Sequence, residues 1–332
     1  MQYKVSIKRK CYLLSVLLMT VWLTGCVQEE FESTPSPAGN GIRFTLTVPD
    51  VNLPSVSSRT MTGTGTAKKE DEIETVDILV FDMSKTPAVF LEWVSATGVT
   101  QDLADNSTVS FSAVLSPTTA STCIVVVANK ELDNIVSGFT KGATTKVEAM
   151  EKMLHTQTGK WLADGSTTGG YTRIPMYGEK VISKITPSMD PITGINMKRM
   201  LARIDIRNNS ATSNFTVEEV YLANYNTTGY IAPAWNTNGQ VTEPAPDTPV
   251  LPAGSGKMTE EGDAILYSVN GNTPYDGEIY TFESLAAEDA GGAGADGEAS
   301  RKDATCLIVK GRIGTGESTF YRVDFTKNGN TG

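Results

Sequence analysis

The 332-residue chain holds one histidine, four cysteines, and 28 lysines and arginines against 38 acids. Each shortage removes a class of function. The sole imidazole, His155, leaves the usual Ser–His–Asp and Cys–His arrangements without a base unless His155 itself serves. The cysteines at 11, 26, 123 and 306 show no CxxC spacing, so with one histidine no zinc or other metal site is legible. A net charge of −10 argues against nucleic acid as a partner, because such a surface needs clustered Lys and Arg. The first 25 residues carry four bases (Lys4, Lys8, Arg9, Lys10) and no acid, so without them the charge deepens from −10 to −14. That sign fits a self-repelling, solvated exterior.

Motifs of catalysis and cofactor binding are missing as well. No GxSxG, HExxH, Walker-type or GxGxxG sequence stands in a strand–turn–helix setting, and no cofactor is implied. The GTGT at Gly63–Thr66 precedes charged residues and a strand, so it does not cradle phosphate. Asp71-Glu72 and Glu218-Glu219 are adjacent pairs that point apart on a strand, and they read as solvated charges rather than a glycosidase pair. Trp93, Trp161, Tyr171 and Trp235 could line a glycan groove, but their scatter favours core or turn packing. The chain is read as non-enzymatic. Cys123 and Cys306 sit in apolar strand patterns; buried free thiols are the favoured reading, with a disulfide left open.

What is present begins with a leader. Residues 1–25 have a basic start, an apolar run (YLLSVLLMTVWL) too short for a comfortable membrane span, and a small-residue end. The ending Leu23-Thr24-Gly25-Cys26 resembles the bacterial lipobox, which implies cleavage between Gly25 and Cys26 and lipid on Cys26. The next residues, VQEEFESTPSPAGN, are an acidic patch and a Ser/Pro-rich tether. The acids resemble the signal that sends lipoproteins of the Bacteroidetes to the outer face of the outer membrane; a solvated linker is the other reading.

Gly41–Arg59 is the oddest stretch. Ile42, Phe44, Leu46 and Val48 alternate with Arg43, Thr45 and Thr47, the period of a strand that packs one face into a sheet. A Pro- and Ser-bearing tether then leads to Arg59, followed by the soft run TMTGTGTAKKEDE, where a trypsin-like protease could reach the chain.

Beyond it, strands are expected at Thr75–Asp82, Phe90–Val94, Thr108–Leu115 and Thr122–Ala128, the last apolar on both faces and so doubly covered. The charged lead-in KKEDEIE is expected to keep the start of Thr75–Asp82 solvated. Lys146–Leu154 is expected as a helix facing inward with Val147, Met150 and Leu154. Ile174–Tyr177 and Glu179–Ile185 give one or two further short strands. Two strong strands, Ile195–Arg207 and Phe215–Tyr225, open a second block, and Ala264–Ser268, Glu278–Phe282, Ala304–Arg312 and Phe320–Phe325 complete it. Many short strands with one helix and no βαβ rhythm make an all-β fold with a minor helix, two β-sandwich domains in tandem. The printed sequence stops at TKNGNTG just after a strand, so either a closing strand is missing or an edge stays open.

The ordered set of the lipobox cysteine, the strand ending at Arg59, DEIETVDILVFD, TCIVVVANK, MKRMLARIDI, FTVEEVYLANY and FYRVDF resembles the fimbrillin family of Bacteroidales, the FimA- and Mfa-like pilin lipoproteins. The resemblance implies transthyretin-like, Ig-like sandwiches and a fimbrial subunit of the cell outer membrane. It divides the chain into a signal peptide (1–25), a lipidated propeptide (26–59), an N-terminal domain (60–193) and a C-terminal domain (194–332). It also implies an arginine-directed protease cutting between Arg59 and Thr60, and eviction of the strand bearing Ile42, Phe44, Leu46 and Val48. A strand from another subunit then fills the groove. Implied partners are other fimbrial subunits, that protease, outer-membrane lipid through Cys26, and host or bacterial surface ligands. The alternative is an anchor, or a non-polymerising glycan-binding lipoprotein, that keeps its first strand.

Overall fold

The computed structural model describes residues 42–48, 70–101, 108–162, 172–206, 208, 214–243, 245–246, 248–253, 262–268, 275–287, 289 and 303–326. By contacts the chain divides into Met1–Gly39 and Asn40–Gly332, and all the described residues belong to the second unit. No helix among them is long and apolar enough to cross a membrane.

The fold is nearly all β. Its first sheet runs β4 (Thr97–Gln101), β5 (Thr108–Ala113), β1 (Ile42–Thr47), β9 (Ile192–Asn196). Its second runs β10 (Lys198–Arg199), β8 (Met176–Ile182), β6 (Thr122–Ala128), β2 (Val76–Asp82), β3 (Val89–Ser95). The two sheets share one apolar core: Phe44, Leu46, Val109, Phe111 and Ile195 from the first meet Ile78, Val80, Ile124, Val126 and Met176 from the second. That makes a β-sandwich.

The second sheet is covered on its other side too. Leu79 and Phe81 of β2, with Cys123, Val125 and Val127 of β6, enter a second core. They meet there, among others, Ala149 and Met150 of helix α2 (Lys146–Lys152) and the downstream residues Ile231, Ala232, Tyr280 and Phe282. Every residue of β6 is buried, as its two-sided apolar run predicts. A four-residue helix, α1 (Asp133–Val136), precedes α2, and β7 (Leu154–Thr156) pairs with β13 (Thr228–Tyr230).

A third core lies under the sheet β14 (Ile265–Ser268), β12 (Phe215–Ala223), β16 (Cys306–Ile313), β17 (Thr319–Asp324). It gathers Val220, Leu222, Tyr267 and Leu307 against Ile279 of β15 (Tyr275–Phe282), which pairs with β11 (Leu201–Ile206).

One expectation about the strands changes. The run Ile195–Arg207 is not one strand: β9, β10 and β11 divide it because each pairs with a different neighbour, β1, β8 and β15. Residues 193 and 194, between which the domains were expected to divide, lie in β9, and β10 pairs with β8 of the second sheet. Of the one or two strands expected around residues 174–185 the structure forms one, β8, running through Gly178. A Cβ there would lie 2.7 Å from the Met197 sulfur and 2.8 Å from Ile195 Cγ2, so only glycine lets the sheets approach this closely.

The helix also ends earlier than its apolar spacing suggests. Thr145 and Glu148 form a reciprocal capping box that fixes its start. At its end Met153 leaves the helical region (φ −80°, ψ 78°), so Leu154 opens β7 instead of continuing the helix. Met150 is buried as expected, together with Lys146, Ala149 and Met153, whereas Val147 and Leu154 are only half-buried.

Cys123 and Cys306 are both buried and neither is in a disulfide. Burial pushes the Cys123 thiol up to about 12, so almost no thiolate forms at neutral pH. Native protein at pH 8 is therefore expected to leave Cys123 unmodified by iodoacetamide, and denatured protein to alkylate it fully. Peptide mass mapping reads both, and alkylation of Cys123 at equal rates in both states would overturn the buried placement.

Candidate functional site: strand β1 and its groove

β1 is an inner strand, although it is the first described segment of the chain. It pairs antiparallel with β5, placing Ile42 opposite Ala113, Phe44 opposite Phe111 and Leu46 opposite Val109. On its other side it runs parallel to β9, with Phe44 beside Ile192 and Leu46 beside Ile195. Phe44 is 1% exposed, Leu46 0% and Val48 1%, while Arg43 and Thr47 face outward. The Phe44 ring stacks on Phe111 with centroids 5.0 Å apart and planes within 8°. Full burial of such side chains contributes about 1.5–3 kcal/mol each. Four of them are therefore comparable with the whole net stability of a domain.

The segment that leads into β2 is held differently. The acids of Glu70–Glu74, read from the sequence as a solvated lead-in, are clamped by side chains far along the chain. Glu70 is 4% exposed and accepts two hydrogen bonds from Arg203 Nη1, at 3.0 and 2.8 Å. The Tyr280 hydroxyl donates to the same carboxylate. Arg199 donates to the Glu70 carbonyl at 3.1 Å and pairs with Asp71. Arg173 bridges Glu72 and Glu74 at 3.4 and 2.5 Å. Backbone groups join in: Gln101 accepts from Ile73 N and donates to Asp71 O, and Asn129 donates to Glu72 O.

The electrostatics follow from that packing. Burial alone would lower the Arg203 guanidinium, but Glu70 and Asp205 outweigh it and hold it above its usual range. Burial, followed by the Glu70 charge, pushes Tyr280 far above the ordinary phenol value, so it donates and never competes as an anion. Pairing and hydrogen bonding together make such a buried charge tolerable.

Other residues singled out in the sequence fall elsewhere. Trp161 is buried in the second core and touches His155 and Phe282, at ring centroids 5.1 and 6.4 Å. Trp93 lies on β3, and Trp235 meets Tyr230 edge-on at 4.9 Å, so the tryptophans do not gather into one groove. Burial, with Lys130 nearby, lowers the pKa of His155. Glu219 bonds Tyr221 and Lys310. Gly25, Cys26, Arg59, Thr60 and Tyr171 lie outside the described residues. No group of three or more metal-ligating side chains occurs among the described ones.

Comparison with known proteins supplies the assignment. The family model of the major fimbrial subunit protein (FimA) matches residues 42–213 of the 332, and that match begins at the first residue of β1. The chain belongs to the FimA major fimbrial subunit family. It is thus a structural subunit of surface fimbriae whose partners include other fimbrial subunits, in a family whose role is structural rather than catalytic.

Solved structures also resemble the chain, at low similarity. A fimbrial assembly protein of Parabacteroides distasonis is 13% identical, covering 86% of this chain and 87% of its own, with a TM-score of 0.44. A putative cell adhesion protein of the same organism is 16% identical over 86% and 80%, with a TM-score of 0.44. The tip fimbrial protein Mfa3 of Porphyromonas gingivalis, with a C-terminal truncation, is 15% identical over 85% and 81%, at 0.42. These similarities are low, and the family match alone carries the assignment. A search of curated proteins finds no match.

The clamp makes a stability prediction. Glu70→Gln removes one of the two carboxylates that face Arg203, leaving Asp205, and is expected to cost about 1–3 kcal/mol in urea unfolding. A loss under about 1 kcal/mol would mean that the pair is solvated.

Acid makes another. The lowered His155 pKa means that the unfolded state, near 6.5, takes up its proton first. This group's contribution is whole above about pH 6.5 and is lost as pH falls through the folded-state value. The Tm should therefore drop less between pH 7 and 5 in His155→Gln than in the parent, and equal drops would assign the acid lability elsewhere.

Proposed function

We propose that this subunit is exported as a lipoprotein, cleaved between Gly25 and Cys26 and lipidated on Cys26. It reaches the outer face of the outer membrane and is matured there by an arginine-directed protease. The cut between Arg59 and Thr60 detaches β1 from everything downstream. Loss of β1 leaves an apolar groove between β5 and β9, which a strand from a neighbouring subunit fills, so that the chain polymerises by donor-strand exchange. Adhesion to host or bacterial surfaces would then be a property of the polymer. The two sandwich modules of this reading divide after β10.

One observation carries it: a strand with Phe44, Leu46 and Val48 buried to 1% or less lies upstream of Arg59 in the middle of a sheet. An inner strand is not ordinarily expendable. One that is joined to the rest through a segment bearing a single cuttable arginine can be exchanged for a strand of the same pattern, because the emptied groove presents two unpaired strand edges and an uncovered core. The clamp on Glu70–Glu74 suits this role. It holds the chain eleven residues past Thr60-adjacent cleavage in place, by contacts to Arg173, Arg199, Arg203 and Tyr280, none of which involves β1.

Filaments sheared from cells are expected to give the N-terminal sequence Thr-Met-Thr-Gly by Edman degradation. Arg59→Ala is expected to trap lipidated monomer on the surface. Normal filaments from that variant would refute cleavage at this site, and an N-terminus blocked at Cys26 would indicate an anchor that keeps β1.

A further inference from the structure

We propose that the β1 groove reads the register of the strand it accepts, selecting a partner segment with a planar aromatic side chain at the Phe44 position between two aliphatic residues. The inference rests on the strand-exchange reading above and names the partner of that site: an extended segment of another subunit with an aliphatic–x–aromatic–x–aliphatic pattern.

The backbone of the groove does not by itself choose a strand. β1 is antiparallel to β5 and parallel to β9, so the two walls run in opposite directions. A strand entering either way would find one parallel and one antiparallel partner, and the ladder bonds are repeated along the groove. A slip by two residues also keeps the apolar face inward, because the side-chain period is two. Selection must therefore come from side chains and from irregularities in the walls.

Both are present, and they coincide. Along the β5 wall the inward residues are Ala113, Phe111 and Val109, small, flat and branched in order, opposite Ile42, Phe44 and Leu46. Only one register stacks a ring on Phe111. Sliding the strand by two residues would put the aromatic opposite Ala113 or Val109 and an aliphatic side chain against the Phe111 face.

The β9 wall carries a bulge at the same place. Phe44 pairs with Ile192 but Leu46 with Ile195, so β9 spends one more residue than β1 between them. Gly194, at φ +70°, supplies the left-handed turn that the extra residue needs. The widened wall sits beside the large ring, and it does not repeat along the strand. A shifted strand would meet the bulge at the wrong side chain.

The test uses the full chain cut after Arg59, with the cut confirmed by mass, just below its urea midpoint so that strands can exchange. A labelled peptide spanning residues 41–49 competes with three others: Phe44→Leu, Phe44→Ala, and a peptide in which Phe44 and Leu46 trade places. Incorporation is read by native mass spectrometry.

The parent peptide should enter. Phe44→Leu should enter roughly 2- to 12-fold less well, the size of an aromatic pair, and Phe44→Ala less well still. The exchanged peptide has identical composition and should lose at least about 10-fold from misfit. In Phe111→Leu protein, a change that keeps the wall apolar, the preference for Phe over Leu should shrink to within about twofold.

Entry of the exchanged peptide as readily as the parent would overturn register selection while leaving strand exchange standing. Failure of the parent peptide to enter cut protein would overturn strand exchange and this inference with it.

Discussion

The first sheet is continuous only because β1 lies in it. β5 and β9 are neighbours through β1 alone, in the order β4, β5, β1, β9. Its backbone satisfies both walls at once, and its side chains close one side of the core between the sheets. A strand at the edge of a sheet can fray at little cost. An inner strand cannot, since its removal exposes two rows of backbone groups and an apolar trough together. The stability of the sandwich is thereby tied to a segment joined to the rest only through residues 49–69.

The acidic segment next to it obeys the opposite logic. Glu70 is buried as a charge, which is costly unless partners replace the lost water. Arg203, Tyr280 and the backbone contact from Arg199 do so, from positions more than 120 residues downstream. Apolar side chains held in a trough can be replaced by other apolar side chains of the same pattern. A buried carboxylate facing a fixed guanidinium cannot, because removing one partner strands the other. The chain thus changes from exchangeable contacts before residue 49 to committed ones from Glu70 onward.

Much of this was legible in the sequence where a period was clean. The alternation from Ile42 to Val48 and the unbroken apolar run of β6 correspond to an inner strand with one buried face and to a strand covered on both. The clamp was not legible. Glu70 and Asp71 look like any solvated pair, and nothing local shows that Arg203 and Arg199, on a run mistaken for a single strand, fold back onto them. Partner choice also broke Ile195–Arg207 into three, each piece pairing with a different neighbour that lies far away in sequence. The helix was placed correctly at Lys146 but two residues too long. The Thr145-x-x-Glu148 cap was there to be read, whereas the exit at Met153 depends on pairing with Tyr230.

How the sandwich could outlast the loss of β1 follows from the second sheet. β2 and β6 each put alternate residues into different cores: Ile78, Val80, Ile124 and Val126 face the groove, and Leu79, Phe81, Val125 and Val127 face the other way. Emptying the groove would uncover only the first set. The second set stays packed against α2 and against Ile231, Tyr280 and Phe282 from the later half of the chain. Lys146 helps fasten this side, reaching Glu179 on β8 and the Gly239 carbonyl at 2.6 Å each while itself only 2% exposed. The wall of the groove is therefore braced from behind by contacts that do not include β1. Under the proposed exchange, a groove with a rigid back would offer an incoming strand the same pockets that β1 fills, so the ordering cost would fall mainly on the strand that arrives.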